Sequence, residues 1–233
     1  MLSEIEAAMA DERWQVRVGA VRAAAEAGRG DPATLAWLRE RVSADPHGNV
    51  RYAALVAVGE GWADDPDTLP WLRGHAVDNA DPGVRRGALR LIATGWPRLP
   101  WLNGWLRERA VADPDGHTAG QAAELVAEGW PDDPDTLAFL RERATAAASG
   151  HTREKAVKSL AKGWPAVPEL RTFLRDVITT DPEWYVRLEA AWGLVDGWRD
   201  HLETLPWLRQ GCLLLRISST GMWSTSRIES LSV

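Results

Sequence analysis

GWADDPDTLPWLRG at residues 61–74 decides how this chain folds, because it returns as GWPRLPWLNGWLRE from 95, GWPDDPDTLAFLRE from 129, GWPAVPELRTFLRD from 163 and GWRDHLETLPWLRQ from 197. Each copy starts 34 residues after the last. A fixed period of that length marks an array of small units, each too small to bury its apolar face alone and therefore stacked on its neighbours.

Reading the units as columns gives the helices. Ala20, Ala54, Ala88, Ala122, Ala156 and Ala190 form one column, and Ala24, Val58, Ile92, Val126, Leu160 and Leu194 another, four residues further on. That spacing places both on one helical face, and the small residue is what two helices need if their backbones are to approach closely. Each of these packing helices is expected to end at a left-handed glycine, Gly61, Gly95, Gly129, Gly163 or Gly197, with the following tryptophan folded back over the core. The other helix of each unit carries an aromatic column, Trp37, Trp71, Trp105, Phe139, Phe173 and Trp207, and a leucine column, Leu38, Leu72, Leu106, Leu140, Leu174 and Leu208, both expected to be buried between units. Asp31-Pro32, Asp65-Pro66 and Asp133-Pro134 have the form of an N-cap aspartate followed by proline in the first helical position. A second Asp-Pro, as at Asp81-Pro82, Asp113-Pro114 and Asp181-Pro182, opens the packing helix or the turn into it. Half of the 14 prolines follow an aspartate, so they punctuate helices and do not mark a flexible linker.

Composition narrows the function. The chain has 233 residues, a formal net charge of -6 and a pI near 5.4, which argues against general affinity for nucleic acid or anionic membrane. Its only lysines are Lys155, Lys158 and Lys162, and its many arginines read as compositional. Cys212 is alone, so neither an intrachain disulfide nor an all-cysteine metal site can form. No secretory or transmembrane segment stands out, and a cytoplasmic location fits best.

Thirty-four residues is also the tetratricopeptide period, but the pattern D-P-x-x-x-V-R-x-x-A points elsewhere. It stands as DERWQVRVGA at 11, DPHGNVRYAA at 45 and DPEWYVRLEA at 181, and ADPGVRRGAL keeps the Val84-Arg85 register. This resembles the second helix of HEAT repeats over residues 11 to about 210. The wording is similar to HEAT-like arrays of high-GC bacteria, some attached to NACHT-type ATPases, although no such ATPase module is present. The resemblance implies an all-α fold, a right-handed α-solenoid of helix pairs. Residues 1–215 form one array with an atypical N-terminal cap, in which Leu2, Ile5 and Met9 share a face. Residues 216–233 read as a poorly ordered tail, with GCLLLRI at 211–217 covering the last apolar face.

In HEAT proteins the aspartate and arginine of this pattern form a ladder between neighbouring repeats. The matching columns here are Arg17, Arg51, Arg85, Ala119, Arg153, Arg187 and Asp11, Asp45, Asn79, Asp113, Ala147, Asp181. Pairing each arginine with the next unit's acid loses one rung at Ala119 and Ala147. Pairing within a unit would orphan Asp113 and Arg153, which costs more when the groups are buried. The expected rungs are therefore Arg17 to Asp45, Arg51 to Asn79, Arg85 to Asp113 and Arg153 to Asp181, with a softer joint where the rung is missing.

Chemistry finds little footing. The chain has no Gly-rich phosphate loop, nucleophile elbow, His-Glu-x-x-His helix or EF-hand ligand order, and no His-Glu dipeptide of the kind some HEAT-like hydroxylases use. His117 and His151 share a varied column and are expected about 10 Å apart, too far for zinc. No cofactor, metal or catalytic residue is assigned. Trp101, Trp184 and Trp192 lie outside the aromatic columns and are candidates for recognition. The reading is a non-catalytic protein-interaction scaffold or regulatory module, with partner and oligomeric state open; the alternative is a HEAT-like enzyme or a nucleic-acid binder of the DNA-repair glycosylase kind.

Overall fold

The computed structural model describes residues 2–198 and Thr204, and the side chains from Glu4 onward. The described residues form twelve helices and no strand. The first of each pair are α1 (Leu2–Met9), α3 (Pro32–Ala44), α5 (Thr68–Asp78), α7 (Leu102–Ala112), α9 (Pro134–Ala146) and α11 (Pro168–Thr180), called A helices below. The second, B, helices are α2 (Trp14–Ala27), α4 (Gly48–Gly61), α6 (Pro82–Gly95), α8 (Gly116–Gly129), α10 (Gly150–Gly163) and α12 (Trp184–Trp198). The columns at Trp207 and Leu208, the segment 211–217 and the tail 216–233 lie outside the described residues.

Capping explains where the helices start. The Asp31 carboxylate accepts the N–H groups of Ala33 and Thr34, and Asp133 accepts that of Asp135, each with proline at the first helical position. Asp65-Pro66 departs from this expectation. Asp65 accepts the N–H of Asp67 and lies in a turn, so α5 begins only at Thr68.

The B helices carry the stack. Ala54, Ala88, Ala122, Ala156 and Ala190 have no exposed surface, and neither have Val58, Ile92, Val126, Leu160 and Leu194. Glycines mark further close approaches: a Cβ on Gly59 would lie 2.8 Å from Leu91, and one on Gly193 would lie 2.5 Å from Ala161. Successive B helices come within 8 Å along much of their length, whereas successive A helices scarcely do. The row therefore curves with its B helices on the inner side.

The Gly-Trp step differs from the expected left-handed cap. Gly61, Gly95, Gly129 and Gly163 are the last residues of their helices, and the only positive φ among the described residues belongs to Gly30. Trp62, Trp96, Trp130 and Trp164 take the cap position at φ between -131° and -137°, each donating its N–H to the carbonyl four residues back. Tryptophan closes the turn itself, and a Cβ on those glycines would meet nothing. The rings then pack on the core, Trp62 most completely.

The A helices are joined by a feature not read from the sequence. Arg39, Arg73, Arg107 and Arg141, the arginines of the first four Trp-Leu-Arg or Phe-Leu-Arg triplets, reach an aromatic ring of the following unit. Arg39 lies 5.5 Å from the centre of Trp71, Arg73 4.8 Å from Trp101, and Arg107 and Arg141 5.2 Å from Phe139 and Phe173. A cation over a ring face is attracted by its quadrupole. Arg39 also bonds Asp65 and Thr68, and Arg107 bonds Asp133 and Thr136. At the positions facing Arg73 and Arg141 the acid and threonine are replaced by Leu99 and Leu102, and by Val167 and Leu170, so among the described residues those arginines rest on rings alone. The recurring arginine was visible as a column, and its partners 26 and 29 residues ahead were the available signal.

Candidate functional site

Charged rungs join the B helices. Arg17 donates to both carboxylate oxygens of Asp45, at 3.0 and 3.1 Å, and Arg85 to both of Asp113, at 2.9 Å each. Arg153 does the same to Asp181, at 2.7 and 3.0 Å. The remaining terminal nitrogen of each guanidinium turns back to carbonyls of its own unit, those of Asp11, Asn79 and Ala147. Each arginine thus ties its own turn to the next unit's acid. The bond to the carboxylate holds the Arg17, Arg85 and Arg153 guanidiniums above their ordinary pKa. Burial pushes the Asp45 carboxyl up, but Arg17 and the His47 N–H outweigh it, and the net shift is downward.

Arg51 does not pair with Asn79. It donates through Nε and a terminal nitrogen, at 3.1 and 2.6 Å, to one oxygen of Asp81. The Asn79 amide oxygen already accepts the Asp81 N–H and its nitrogen meets His75, whereas Asp81 offers a full negative charge two residues on. That carboxylate also caps α6 through the Gly83 N–H. The shifted rung is more exposed, 23% and 19% for its side chains against 8% and 2% at Arg85 and Asp113.

The joint between Ala119 and Ala147 has no charged rung in these columns, yet it is not bare. Thr152 donates to the carbonyl of Gly116, Lys155 lies 3.4 Å from Glu124, and the rings of His117 and His151 stack at 3.8 Å with 24° between their planes. The 10 Å separation expected of the histidines is wrong, because both side chains bridge a gap narrowed by the small residues of α8 and α10. Tyr185 extends the stack, 5.1 Å from His151. Stacked rings point their in-plane lone pairs along parallel planes, a poor arrangement for gripping one metal ion.

This stack divides the inner face. On the first three units the corresponding positions are Gln15, Asn49 and Gly83, and the surface is grooved there. One cleft of about 620 Å³ runs between α2 and α4 over Val18, Ala53, Val56 and Ala57, and a second of about 430 Å³ between α4 and α6 over Gly83 and Gly87. Asn49 and Tyr52 line both. Trp14, stacked on His47 at 4.8 Å, stands at one side. Tyr52 is 42% exposed, although its ring lies close enough to α6 that a Cβ on Gly87 would meet it at 2.8 Å.

A sequence model of HEAT repeats matches residues 3–93 and 104–195. The chain belongs to the HEAT repeat family. The unmatched stretch between them holds Pro97 to Trp101, where this HEAT array lacks the Asp-Pro-Asp-Thr wording found at 65–68 and 133–136. No curated protein and no solved structure matches the chain.

The three tryptophans singled out for recognition do not come together in the HEAT array. Trp101 is absorbed into packing, partly buried against the core, edge-on to Trp105 at 5.7 Å and covered by Arg73. Trp192 is partly buried and already engaged. Trp184 is 53% exposed on the last described B helix, edge-on to Tyr185. Tyr52, Arg86 and Arg90 were missed, since surface columns vary from unit to unit and carry no period to read.

Proposed function

We propose that this HEAT array is a non-catalytic protein-binding scaffold or regulatory module that engages its partner on the inner face. The observation that supports this reading is the pair of adjoining grooves under an exposed, glycine-seated Tyr52, with arginines alongside. Tyrosine and arginine over a small apolar floor are the composition of interface hot spots. Acidic residues Glu26, Glu60, Glu128 and Glu154 also lie on the B helices, and they oppose a phosphate backbone, which weighs against the nucleic-acid alternative. No helix among the described residues is long and apolar enough to cross a membrane. A cytoplasmic role, and kinship with the HEAT arrays of high-GC bacteria, belong to the same reading and rest on the sequence.

Cross-linking capture from native lysate tests it, comparing the parent chain with Val56→Glu on the groove floor and Ala138→Glu on the outer helix α9. A specific protein retained by the parent and by Ala138→Glu, but lost with Val56→Glu, is expected. Loss only with Ala138→Glu would remove the inner face from the account. Salt-sensitive binding of labelled duplex DNA, with no protein captured, would favour the alternative.

A further inference from the structure

We infer that the twin groove over α2, α4 and α6 takes an acidic, amphipathic segment of a protein partner, with its apolar side chains over α2 and α4 and its carboxylates on α6. The inference rests on the protein-binding reading above and gives it a chemistry and a polarity.

Net charge differs between the two halves of the grooved surface. On α6, Arg86 and Arg90 stand one turn apart on the inner face beside Gly83 and Gly87, and the Asp81 carboxylate that lines the same groove is already held by Arg51. Arg86 reaches Asp115 only at 3.4 Å with 39% of its side chain exposed, and among the described residues Arg90 bonds the neutral amide of Gln121 alone, also at 3.4 Å. Neither contact is a short bidentate pair of the kind that occupies Arg17, Arg85 and Arg153, so both retain capacity for a carboxylate. Between α2 and α4 the floor is apolar, and Glu26 and Glu60 at the edge of that cleft are matched by Arg22 and Arg29, so it carries no net charge. An incoming segment is therefore oriented, acidic toward α6 and apolar toward α2.

Tyr52 joins the two halves. Its hydroxyl makes no hydrogen bond among the described residues, while Gly87 leaves room for its ring to lie against α6. The ring is thus held in place before binding, and an aromatic anchor fixed in advance loses little entropy when covered. Beyond α6 the groove ends where Arg90 meets Gln121 and the His117–His151 stack begins, so the site spans three helices and does not continue along the array.

The test is selection of a random peptide display library on the immobilised full chain, followed by fluorescence anisotropy of the enriched peptides. Enriched sequences should carry two or more Asp or Glu next to Leu, Phe or Trp. Their affinity should fall at least about ten-fold with Arg90→Glu and with Tyr52→Ala, both exposed positions, and be unchanged with Lys158→Glu on α10. Arg86→Glu combined with Arg90→Glu should select basic peptides instead. Basic or uncharged winners, no enrichment at all, or affinity that responds only to Lys158→Glu would overturn the inference. So would a dimer in sedimentation that dissociates with Tyr52→Ala, or displacement of the peptides by duplex DNA. A partner captured through Val56 whose binding ignores Arg86 and Arg90 would sink the acidic segment while leaving the scaffold reading in place.

Discussion

Arg85 and Asp113 show what a rung does: a bidentate pair almost out of solvent, tied on one side to its own turn and on the other to the next unit. A double-mutant cycle on this pair should give a coupling of about 0.5 to 3 kcal/mol. The same cycle on Arg51 and Asp81 should show coupling, and on Arg51 and Asn79 next to none; the reverse order would mean that the shifted rung is misassigned. His75 supplies a pH test. Burial lowers its pKa from the ordinary 6.5, and its Nδ1 faces the Asn79 amide at 2.9 Å. The folded state therefore resists the proton that the unfolded chain accepts, so stability falls as pH drops below about 6.5. Denaturant unfolding at about pH 7.5 and about pH 5.5 should show this loss, and His75→Gln should reduce it; an unchanged difference would locate the effect elsewhere. The rungs were legible in the sequence because a buried ion pair tolerates few substitutes and so leaves a column. The shift to Asp81 was not, because a guanidinium can reach two residues along a turn without altering any column.

At the scale of one helix, the alanine column and the Gly-Trp step make opposite predictions. Ala122 is fully buried in mid-array, so Ala122→Leu should overpack the junction and cost about 1 to 3 kcal/mol; an unfolding midpoint equal to the parent's would refute close approach. Gly95 ends α6 without a positive φ and with open space around its would-be Cβ. Gly95→Ala should therefore stabilise by about 0.5 kcal/mol by restricting the unfolded chain, and a clear loss of stability would restore a special role for glycine. Helix placement was readable because caps and buried faces recur with the period. The α5 start was misread since Asp65 serves Arg39 of the previous helix as well as its own turn, a duty across units that local capping rules do not contain.

The six helix pairs of the described residues, laid side by side, make a long body, and solution scattering should give a radius of gyration above the roughly 17 Å of a compact chain this size. A value at or below that would contradict the open row. The inner face was the least legible part of the whole, because its function lies in departures from the repeat: Gly83 and Gly87 leave space where His117, His151 and Tyr185 fill it. The unequal joining of the two layers has a mechanical consequence. B helices meet backbone to backbone at alanine and glycine and resist being drawn apart, whereas A helices stand further apart. The A helices communicate through long arginine side chains, resting on rings and, at Arg39 and Arg107, also bonded to an acid and a threonine, links that can swing as the helices move. Changes of curvature should pivot about the B layer as a strip flexes about its stiff side, with the A helices fanning open or closing while the grooves keep their width. The molecule is then a spring whose compliance lies on the face opposite its grip.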